Sequence, residues 1–235
     1  MRLSLVIPCY NEAGSLPKLV DRLAEAIPPG RAEVVLVDNG SRDETARLLP
    51  GLIHGHENLR VCTVPENQGY GFGILSGLRV AEGDVLAWTH ADLQADPADA
   101  MAGLSLFGRA ADPERLFVKG RRHGRPLRDR VFEWGMSLFE LPVLGSAMWD
   151  INAQPTMFHR AFFERWDSPP ADHCLDLFAY STARRQGLRI ERIPVIFGPR
   201  LSGFGHNETL RQKLATSRRT ISYSLDLRRR IRRGP

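Results

Sequence analysis

Residues 86–97, LAWTHADLQADP, place cation-binding groups directly after a short apolar run. Leu86-Ala87-Trp88 is typical of a buried strand, and His90, Asp92 and Gln94 follow it at alternate positions. Imidazole nitrogens, carboxylates and amide oxygens all bind divalent metals in proteins, although Mg²⁺ prefers oxygen. Such a cluster at the end of a buried strand indicates that a ligand is held there, and it raises the question why His90 stands where a carboxylate might be expected.

Three other apolar runs, at 3–8, 33–38 and 58–64, are also predicted to be strands, and a polar cluster follows each of them. The run Leu86-Ala87-Trp88 belongs to a fourth predicted strand, at 84–90. Helix patterns lie between the runs at about 13–27, 41–49 and 71–82, the second with Ser41 as predicted N-cap and Glu44 at the capping-box position. Continuous apolar strands that alternate with helices predict a parallel sheet covered on both faces. Ligands of such sheets bind at the carboxyl ends of the strands, where the clusters PCYNE, DNGS, ENQGYG and HADLQ fall.

The second half of the chain is less regular. We expect strands at 115–122 and 190–197, a loop and strand at 150–160, and helices at about 127–141 and 174–187. A glycine-rich loop at 199–207 precedes a last helix that begins near residue 208. These patterns predict one domain with a C-terminal helical appendage.

The composition is that of an ordinary globular protein, with 235 residues, 43% hydrophobic and 25% charged. No apolar run is long enough to cross a bilayer and the first one ends at Pro8, so we expect neither a membrane span nor a signal peptide. Cys9, Cys62 and Cys174 are far apart and form no CxxC motif, which favours free thiols in a reducing compartment.

The net charge of +5 is concentrated at the C-terminus. From residue 218 onward there are seven arginines and one acid, Asp226, which gives +6 and leaves −1 for the preceding residues. Such a tail suggests contact with an anionic membrane surface or with nucleic acid, and a solvated helix end is the alternative.

The motifs VIPCYNEAGSL, VVLVDNGSRDET, NQGYGFGILSGL and VLAWTHADLQADP, in this order, resemble the nucleotide-sugar half of a family 2 glycosyltransferase. The chain resembles most the polyprenyl-phosphate branch, typified by dolichol-phosphate mannosyltransferase, specifically over 3–97 and more loosely to about 207. This resemblance implies the GT-A fold, an α/β, Rossmann-like domain whose mostly parallel sheet has helices on both faces. A Rossmann dehydrogenase is the weaker reading, because its glycines would follow the first strand. The residues that the resemblance implies for donor binding are Pro8, Tyr10, Asn11, Glu12, Asp38, Asn39, Asn67, Gly71, His90 and Asp92.

The family metal motif is Asp-x-Asp followed by Gln, and here these positions are His90, Asp92 and Gln94. The resemblance implies a divalent metal on these residues, bridged to the donor phosphates, with Asp92 central to catalysis. Because His90 replaces a carboxylate, Mn²⁺ is favoured over Mg²⁺. In the alternatives, His90 donates directly to a phosphate, or the site has lost its activity.

The second half is implied to hold an acceptor phosphate with several arginines, whose guanidinium groups suit such an anion. A solvated charged loop is the alternative. The apolar segment that follows suits a membrane interface, a core helix or a dimer contact. The predicted arginines are Arg121, Arg122, Arg128, Arg130 and Arg200, the last in a loop where the family serine is replaced by Gly205.

We therefore expect an inverting glycosyltransferase, peripheral on the cytoplasmic face of a membrane, that moves a sugar from a nucleoside diphosphate to a polyprenyl phosphate. For a sugar-hydroxyl acceptor, Asp172 or Asp176 would be the general base, and Asp150 is an acid expected near the reaction centre. A nucleotide-sugar-binding protein without catalysis is the third alternative. The expected partners are the nucleotide sugar, the lipid-linked acceptor and anionic membrane, without nucleic acid and with homodimerisation left open. The predicted boundaries are 1–207 for the domain, divided into a donor half at 1–97 and an acceptor half at 98–207, and 208–235 for a basic amphipathic helix.

Overall fold

The computed structural model describes residues 1–123, 140–145, 148–198 and 210–233. Its strands are β1 (Leu3–Cys9), β2 (Ala32–Asn39), β3 (Leu59–Val64), β4 (Val85–Trp88), β5 (Leu116–His123), β6 (Thr156–His159) and β7 (Arg189–Ile196). Its helices are α1 (Leu16–Ala26), α2 (Thr45–Leu52), α3 (Tyr70–Val80), α4 (Ala98–Arg109), α5 at residues 140–144, α6 (Arg160–Glu164), α7 (Leu175–Arg185) and α8 (Leu210–Arg233).

The strands form a single sheet in the order β3-β2-β1-β4-β6-β5-β7. Strands β1 to β4 pair in parallel, as do β5 and β7, whereas β6 runs antiparallel to both β4 and β5. In this register Thr156, the first residue of β6, lies beside Trp88 of β4 and Lys119 of β5. The start of β6 therefore reaches the same edge of the sheet as the carboxyl ends of its neighbours.

Both faces of the sheet are covered, which confirms the predicted α/β architecture. Alternate residues of β1 point to opposite faces, so Leu5 and Ile7 are buried in the core that contains α1 and α4. Val6 joins the other core, formed with α3, α7 and α8. Strands that are apolar on both faces are what such a double covering requires.

Two predicted helix starts are wrong, because residues of the preceding loops form other hydrogen bonds. Helix α1 begins at Leu16, three residues later than predicted, and α2 begins at Thr45, with no side-chain cap from Ser41. The Ser41 hydroxyl instead accepts a hydrogen bond from the Asn11 backbone N–H at 3.2 Å. The Thr45 N–H donates to the carboxylate of Asp43 at 3.0 Å.

Helix α8 packs on the domain and is not a free appendage. Tyr223 and Leu227 are buried in the core that contains α3 and α7. The Ser224 hydroxyl donates to the buried carboxylate of Glu140 at 2.6 Å, which joins α8 to α5. The predicted boundary at residue 207 lies outside the described residues, as does most of the helix expected at 127–141. Within the described parts of the chain, no helix combines the length and apolarity needed to cross a bilayer.

Gly71 of α3 is expected to tolerate no side chain. A Cβ at this position would lie 2.6 Å from the Asp172 carbonyl oxygen and 2.7 Å from that of Pro170. Because backbone atoms must move to make room, we expect Gly71→Ala to lower the free energy of unfolding by about 1–3 kcal/mol in denaturant titrations.

Gly108 provides the matched control, since it also lies in a helix and a Cβ there meets no atom within 4 Å. Gly108→Ala should leave stability unchanged or raise it slightly. Equal effects of the two substitutions would show that the contact between α3 and the 170–172 loop is not tight.

Candidate functional site

The loops that follow β1 and β2 are tied together by hydrogen bonds. The Asn11 side-chain oxygen accepts from the Arg42 N–H at 2.9 Å, and the Glu12 N–H donates to the Thr45 hydroxyl at 2.9 Å. Asn11 has a φ of 55°, a left-handed conformation that asparagine tolerates better than most residues. The PCYNE and DNGS clusters thus form one continuous border along this part of the sheet edge.

The predicted donor residues within this border differ in exposure. Tyr10 is exposed, while Asp38 is buried and its carboxylate accepts from the Ser41 N–H at 3.1 Å. Glu12 is also buried, and its carboxylate accepts from the Ser15 hydroxyl at 2.7 Å. Pro8 is within β1, paired beside Val37. The structure therefore brings these residues together at one edge, as the strand pattern predicted.

Asn39 and Gly71, two of the residues predicted to bind the donor, lie where α3 begins and make close contacts within the chain. Asn39 is 2% exposed, and its amide donates to the Gly69 carbonyl at 3.0 Å, so it holds the start of α3 from below. Gly71 faces the 170–172 loop, as its short distances to that backbone show. Asn67 is exposed, and its side-chain oxygen accepts from the Gly69 N–H at 3.0 Å. Asn39 and Gly71 thus help to position the start of α3.

The segment after β4 carries the predicted metal residues. The Asp92 side chain is 6% exposed and accepts from the Gln94 N–H at 3.1 Å. The Gln94 amide donates to the Gly198 carbonyl at 3.2 Å, and the Gly198 N–H donates to the Gln94 carbonyl at 2.9 Å. His90 is half-buried, and its ring stacks on that of Tyr70 with centroids 5.6 Å apart and planes at 29°. By residue type, the three side chains are an imidazole, a carboxylate and an amide, which are nitrogen and oxygen groups that would suit a cation.

A buried polar network lies under this segment. The Lys119 ammonium donates to Asp176 Oδ1 at 3.2 Å and to the Thr156 hydroxyl at 2.7 Å. The same Asp176 oxygen accepts from the Gln154 amide at 3.0 Å, and that amide also donates to the Tyr70 hydroxyl at 3.3 Å. The network thus connects β5, β6 and α7 with the first residue of α3, which contacts His90.

Ionisation in this network is shifted by burial. Removal from water lowers the pKa of Lys119 to about 8, against the attraction of Asp176, which raises it. Burial also raises the pKa of Tyr70 well above its usual value, with further contributions from the negative charges of Asp176 and Asp92. Tyr70 therefore stays protonated.

Sequence reasoning missed Lys119, Thr156, Gln154 and Tyr70. A signal existed for Lys119, because the run LFVKG places a lysine inside an otherwise apolar strand. A lysine in such a position is rarely buried without a partner. The sequence offers no comparable signal for the other three residues.

Of the predicted acceptor arginines, Arg121 is exposed at the end of β5. Arg122 is tied to Asp150, whose carboxylate accepts from its backbone N–H at 2.7 Å and from its Nε at 2.6 Å. Arg192 approaches the same carboxylate at 3.8 Å. Arg122 is thus already engaged with an acid, while Arg128, Arg130 and Arg200 lie outside the described residues.

Asp172, predicted as a candidate base, also has a cationic partner. Its Oδ2 accepts from Arg219 Nε of α8 at 2.6 Å. Burial acts to raise the pKa of Asp172, but the Cys174 N–H and Arg219 bring it below its usual value. Asp172 is therefore ionised and is used to dock α8.

Asp172, His173 and Cys174 place three metal-ligand atoms within 4.8 Å of one another. Arg219 already supplies the cation for Asp172. Burial first, and then the charge of Asp172, raise the pKa of the Cys174 thiol to about 12, so that it stays protonated. A metal at this cluster would have to displace both the thiol proton and the guanidinium of Arg219.

A family model and several known proteins match this chain. The model of "Glycosyl transferase family 2" matches residues 4–170. The chain is 39% identical over 170 residues to the undecaprenyl-phosphate 4-deoxy-4-formamido-L-arabinose transferase of Pseudomonas paraeruginosa, covering 69% of this chain and 48% of that protein. It is 36% identical over 139 residues to the dodecaprenyl-phosphate galacturonate synthase of Rhizobium johnstonii, covering 57% of this chain and 40% of that one. The chain thus spans half or less of the length of these relatives.

Among solved structures, the chain resembles glucosyl-3-phosphoglycerate synthase from Mycobacterium tuberculosis, in complex with Mn²⁺, UDP and glucosyl-3-phosphoglycerate. The TM-score is 0.73 at 19% identity, covering 97% of this chain and 79% of that one. At this identity the likeness shows that the two proteins share a fold.

Proposed function

Since this chain belongs to glycosyl transferase family 2, we propose that it moves a sugar from a nucleoside diphosphate to a polyprenyl phosphate, with inversion at the anomeric carbon. The Pseudomonas and Rhizobium relatives, whose names specify polyprenyl phosphates, support this choice of acceptor. The reaction would take place on the cytoplasmic face of a membrane.

The observation that favours a phosphate acceptor is that all three candidate acids are paired with cationic side chains. Asp150 contacts Arg122 and Arg192, Asp172 contacts Arg219, and Asp176 is buried against Lys119. A sugar hydroxyl needs a base to remove its proton during attack, and a carboxylate paired with a cation is a weak one. A phosphate oxygen is already ionised at neutral pH and needs none. The hydroxyl-acceptor alternative is therefore the less supported of the two.

The residues after β4 suit a divalent cation. Asp92 supplies a carboxylate. The Tyr70 ring stacks on His90 and would hold its imidazole nitrogen in place, and this tyrosine adds no charge to the site. A bound Mn²⁺ or Mg²⁺ would neutralise charge on the departing nucleoside diphosphate. Mn²⁺ is the better match, because it accepts nitrogen ligands more readily than Mg²⁺ does. The chain's own part is to hold the donor between this segment and the border formed by the PCYNE and DNGS loops.

Product analysis tests the proposal directly. The protein would be incubated with polyprenyl phosphate and a panel of UDP-, GDP- and dTDP-sugars, with Mn²⁺ and Mg²⁺ in parallel. We expect a lipid-linked sugar phosphate with inverted anomeric configuration. Donor binding without any transferred sugar would instead favour a protein that binds nucleotide sugars and does not catalyse.

Arg121→Ala is expected to weaken binding of the acceptor phosphate. Charge-assisted hydrogen bonds are worth about 1.5–3 kcal/mol, so the acceptor KM should rise about tenfold or more while the donor KM changes little. Steady-state kinetics with each substrate varied in turn would measure this difference. Arg109→Ala, an exposed arginine at the end of α4, is the control and should change neither constant. A rise in the donor KM alone would move Arg121 to the donor site.

The basic end of α8 is proposed to contact anionic lipid. Tyr223 and Leu227 face the core, while Arg229 and Arg232 are exposed. Each arginine near an anionic surface contributes about 1 kcal/mol, so Arg229→Glu with Arg232→Glu should weaken binding to phosphatidylserine vesicles about tenfold or more.

The control for this prediction is Arg184→Glu with Arg185→Glu, an exposed pair at the end of α7. Equal losses from both pairs in vesicle sedimentation would indicate a general charge effect and exclude a specific role for α8. Substitution is preferable to truncation at residue 226, because truncation would also remove the buried Leu227.

A further inference from the structure

Tyr70 links the strand-end segment to the buried polar network. Its ring stacks on His90 at 5.6 Å, and its hydroxyl accepts from the Gln154 amide at 3.3 Å. Tyr70 is also the first residue of α3 and packs against the core. A side chain held at both its ring and its hydroxyl has little freedom to turn.

The groups behind Tyr70 are themselves fixed. Gln154 is 2% exposed, and its side-chain oxygen accepts from the Thr156 hydroxyl at 3.1 Å while its amide donates to Asp176. Asp176 in turn is held by Lys119, which is fully buried. These bonds join α3, β5, β6 and α7, so the orientation of Tyr70 is set by four elements of the fold.

The charges of this network cancel. Lys119 is cationic and Asp176 anionic, and they lie 3.2 Å apart. Gln154, Thr156 and Tyr70 are neutral. The network therefore carries no net charge, and its contact with His90 runs through Gln154 and the Tyr70 side chain.

We propose that Tyr70 is a positioning residue for His90, oriented by the buried Gln154–Asp176–Lys119 network. The inference rests on the proposed function, because it takes His90 to face the metal and donor phosphates. The stacked tyrosine restricts the imidazole plane and so fixes the direction of its ligating nitrogen. Asp176 then acts at a distance from the substrate, by orienting Tyr70, and not as a general base.

Metal affinity tests the proposal without requiring turnover. Partners behind a metal ligand typically contribute 10- to 100-fold to metal affinity. We expect Tyr70→Leu to raise the dissociation constant of Mn²⁺, measured by EPR in the presence of UDP, at least tenfold. Tyr70→Phe keeps the ring but removes the hydroxyl that joins it to the network, so it should raise the dissociation constant about three- to tenfold, less than Tyr70→Leu. An unchanged affinity in Tyr70→Phe would overturn the role of the network.

Phe72→Leu is the matched control, because Phe72 lies in the same turn of α3 and packs on the same core. It should leave the Mn²⁺ affinity unchanged. If Tyr70→Leu has no larger effect than Phe72→Leu, the positioning role is overturned.

A second measurement uses the unmodified protein and covers the case in which Tyr70→Leu does not fold. The His90 ring protons, assigned by their loss in the His90→Asp spectrum, should be shifted upfield by the stacked tyrosine ring. Unshifted resonances would overturn the proposal.

A dependence of Mn²⁺ affinity on Tyr70 without any sugar transfer would support positioning while rejecting the proposed activity. Transfer with an affinity insensitive to Tyr70 would do the reverse. Wild-type protein that binds no Mn²⁺ with UDP would overturn the positioning role, and the product analysis would still decide the proposed activity.

Discussion

Asp92→Asn is expected to reduce sugar transfer on the order of 100-fold or more. His90 and Gln94 carry no negative charge at neutral pH, so Asp92 supplies the carboxylate of the strand-end motif. Lewis-acid stabilisation by a bound metal is worth several kcal/mol, and about 1.4 kcal/mol corresponds to tenfold in rate. The measurement is kcat with saturating donor and Mn²⁺. The neutral amide keeps the shape of the side chain, so stability should change little.

His90→Asp is the informative companion to this substitution. It restores a carboxylate and should leave an active protein whose preference moves from Mn²⁺ towards Mg²⁺, because the ligand set becomes all oxygen. Activity measured across both metals would show this as a change in their ratio. Activity that appears only in His90→Asp would mean that the natural site is defunct. If the Asp92→Asn protein were fully active, the reaction would not depend on a metal bound by this segment.

Lys119→Met is expected to lower the free energy of unfolding by about 3–5 kcal/mol. Lys119 is fully buried and Asp176 is 2% exposed, so removing the lysine leaves a carboxylate that water cannot reach. Such an isolated buried charge is far more costly than the loss of an exposed pair. Chemical denaturation followed by far-UV circular dichroism would measure the difference.

The double substitution Lys119→Met with Asp176→Leu should recover most of that loss. Burial lowers the pKa of Lys119 to about 8 against the attraction of Asp176, so removing the ammonium group from water is unfavourable even beside its partner. Replacing both charges with apolar groups then costs little. A double variant as unstable as Lys119→Met would mean that the pair has a net stabilising effect.

The same lysine gives a pH dependence with a definite sign. Its pKa of about 8 in the folded protein is lower than the ordinary value of 10.5, so the unfolded chain binds its proton more tightly. The contribution of Lys119 to the free energy of unfolding should therefore rise between about pH 8 and pH 10.5. In the double variant this component of the pH profile should be absent.

The exposed pair formed by Arg189 and Glu191 provides a control for the single Lys119→Met variant and for its double variant. Removing one member of a surface ion pair changes stability by less than about 1 kcal/mol. Arg189→Met should therefore show neither the large loss nor the recovery in a matching double variant.

The parallel half of the fold could be predicted from the sequence for a physical reason. Strands buried on both faces must be continuously apolar, and the interruptions by helices and polar clusters then mark where each strand ends. Since the carboxyl ends of parallel strands share an edge, the position of His90, Asp92 and the PCYNE and DNGS clusters followed from local pattern alone. Helix starts were less predictable, because the loop before α2 uses Ser41 to bind Asn11.

Pairing between distant residues could not be predicted in this way. Asp176 meets Lys119 57 residues away, Arg122 meets Asp150 28 residues away, and Asp172 meets Arg219 47 residues away. Periodicity indicates which face a residue occupies, but not which residue of another element lies opposite. Strand β6 runs antiparallel to β4, and this places Thr156 beside Trp88 at the end of β4. Thr156 and Gln154 can therefore take part in the buried network.

The sequence by itself determined that polar clusters share one edge of the sheet and which strand end carries His90, Asp92 and Gln94, because both follow from apolar periodicity. It left open whether the glycines of α3 face a ligand or the sheet, and whether Asp176 could act as a base. The tertiary structure placed Gly71 against the backbone of 170–172 and Asp176 against Lys119. The reason is that close approach and charge neutralisation depend on atoms from separate elements, and only the packed fold specifies their distances.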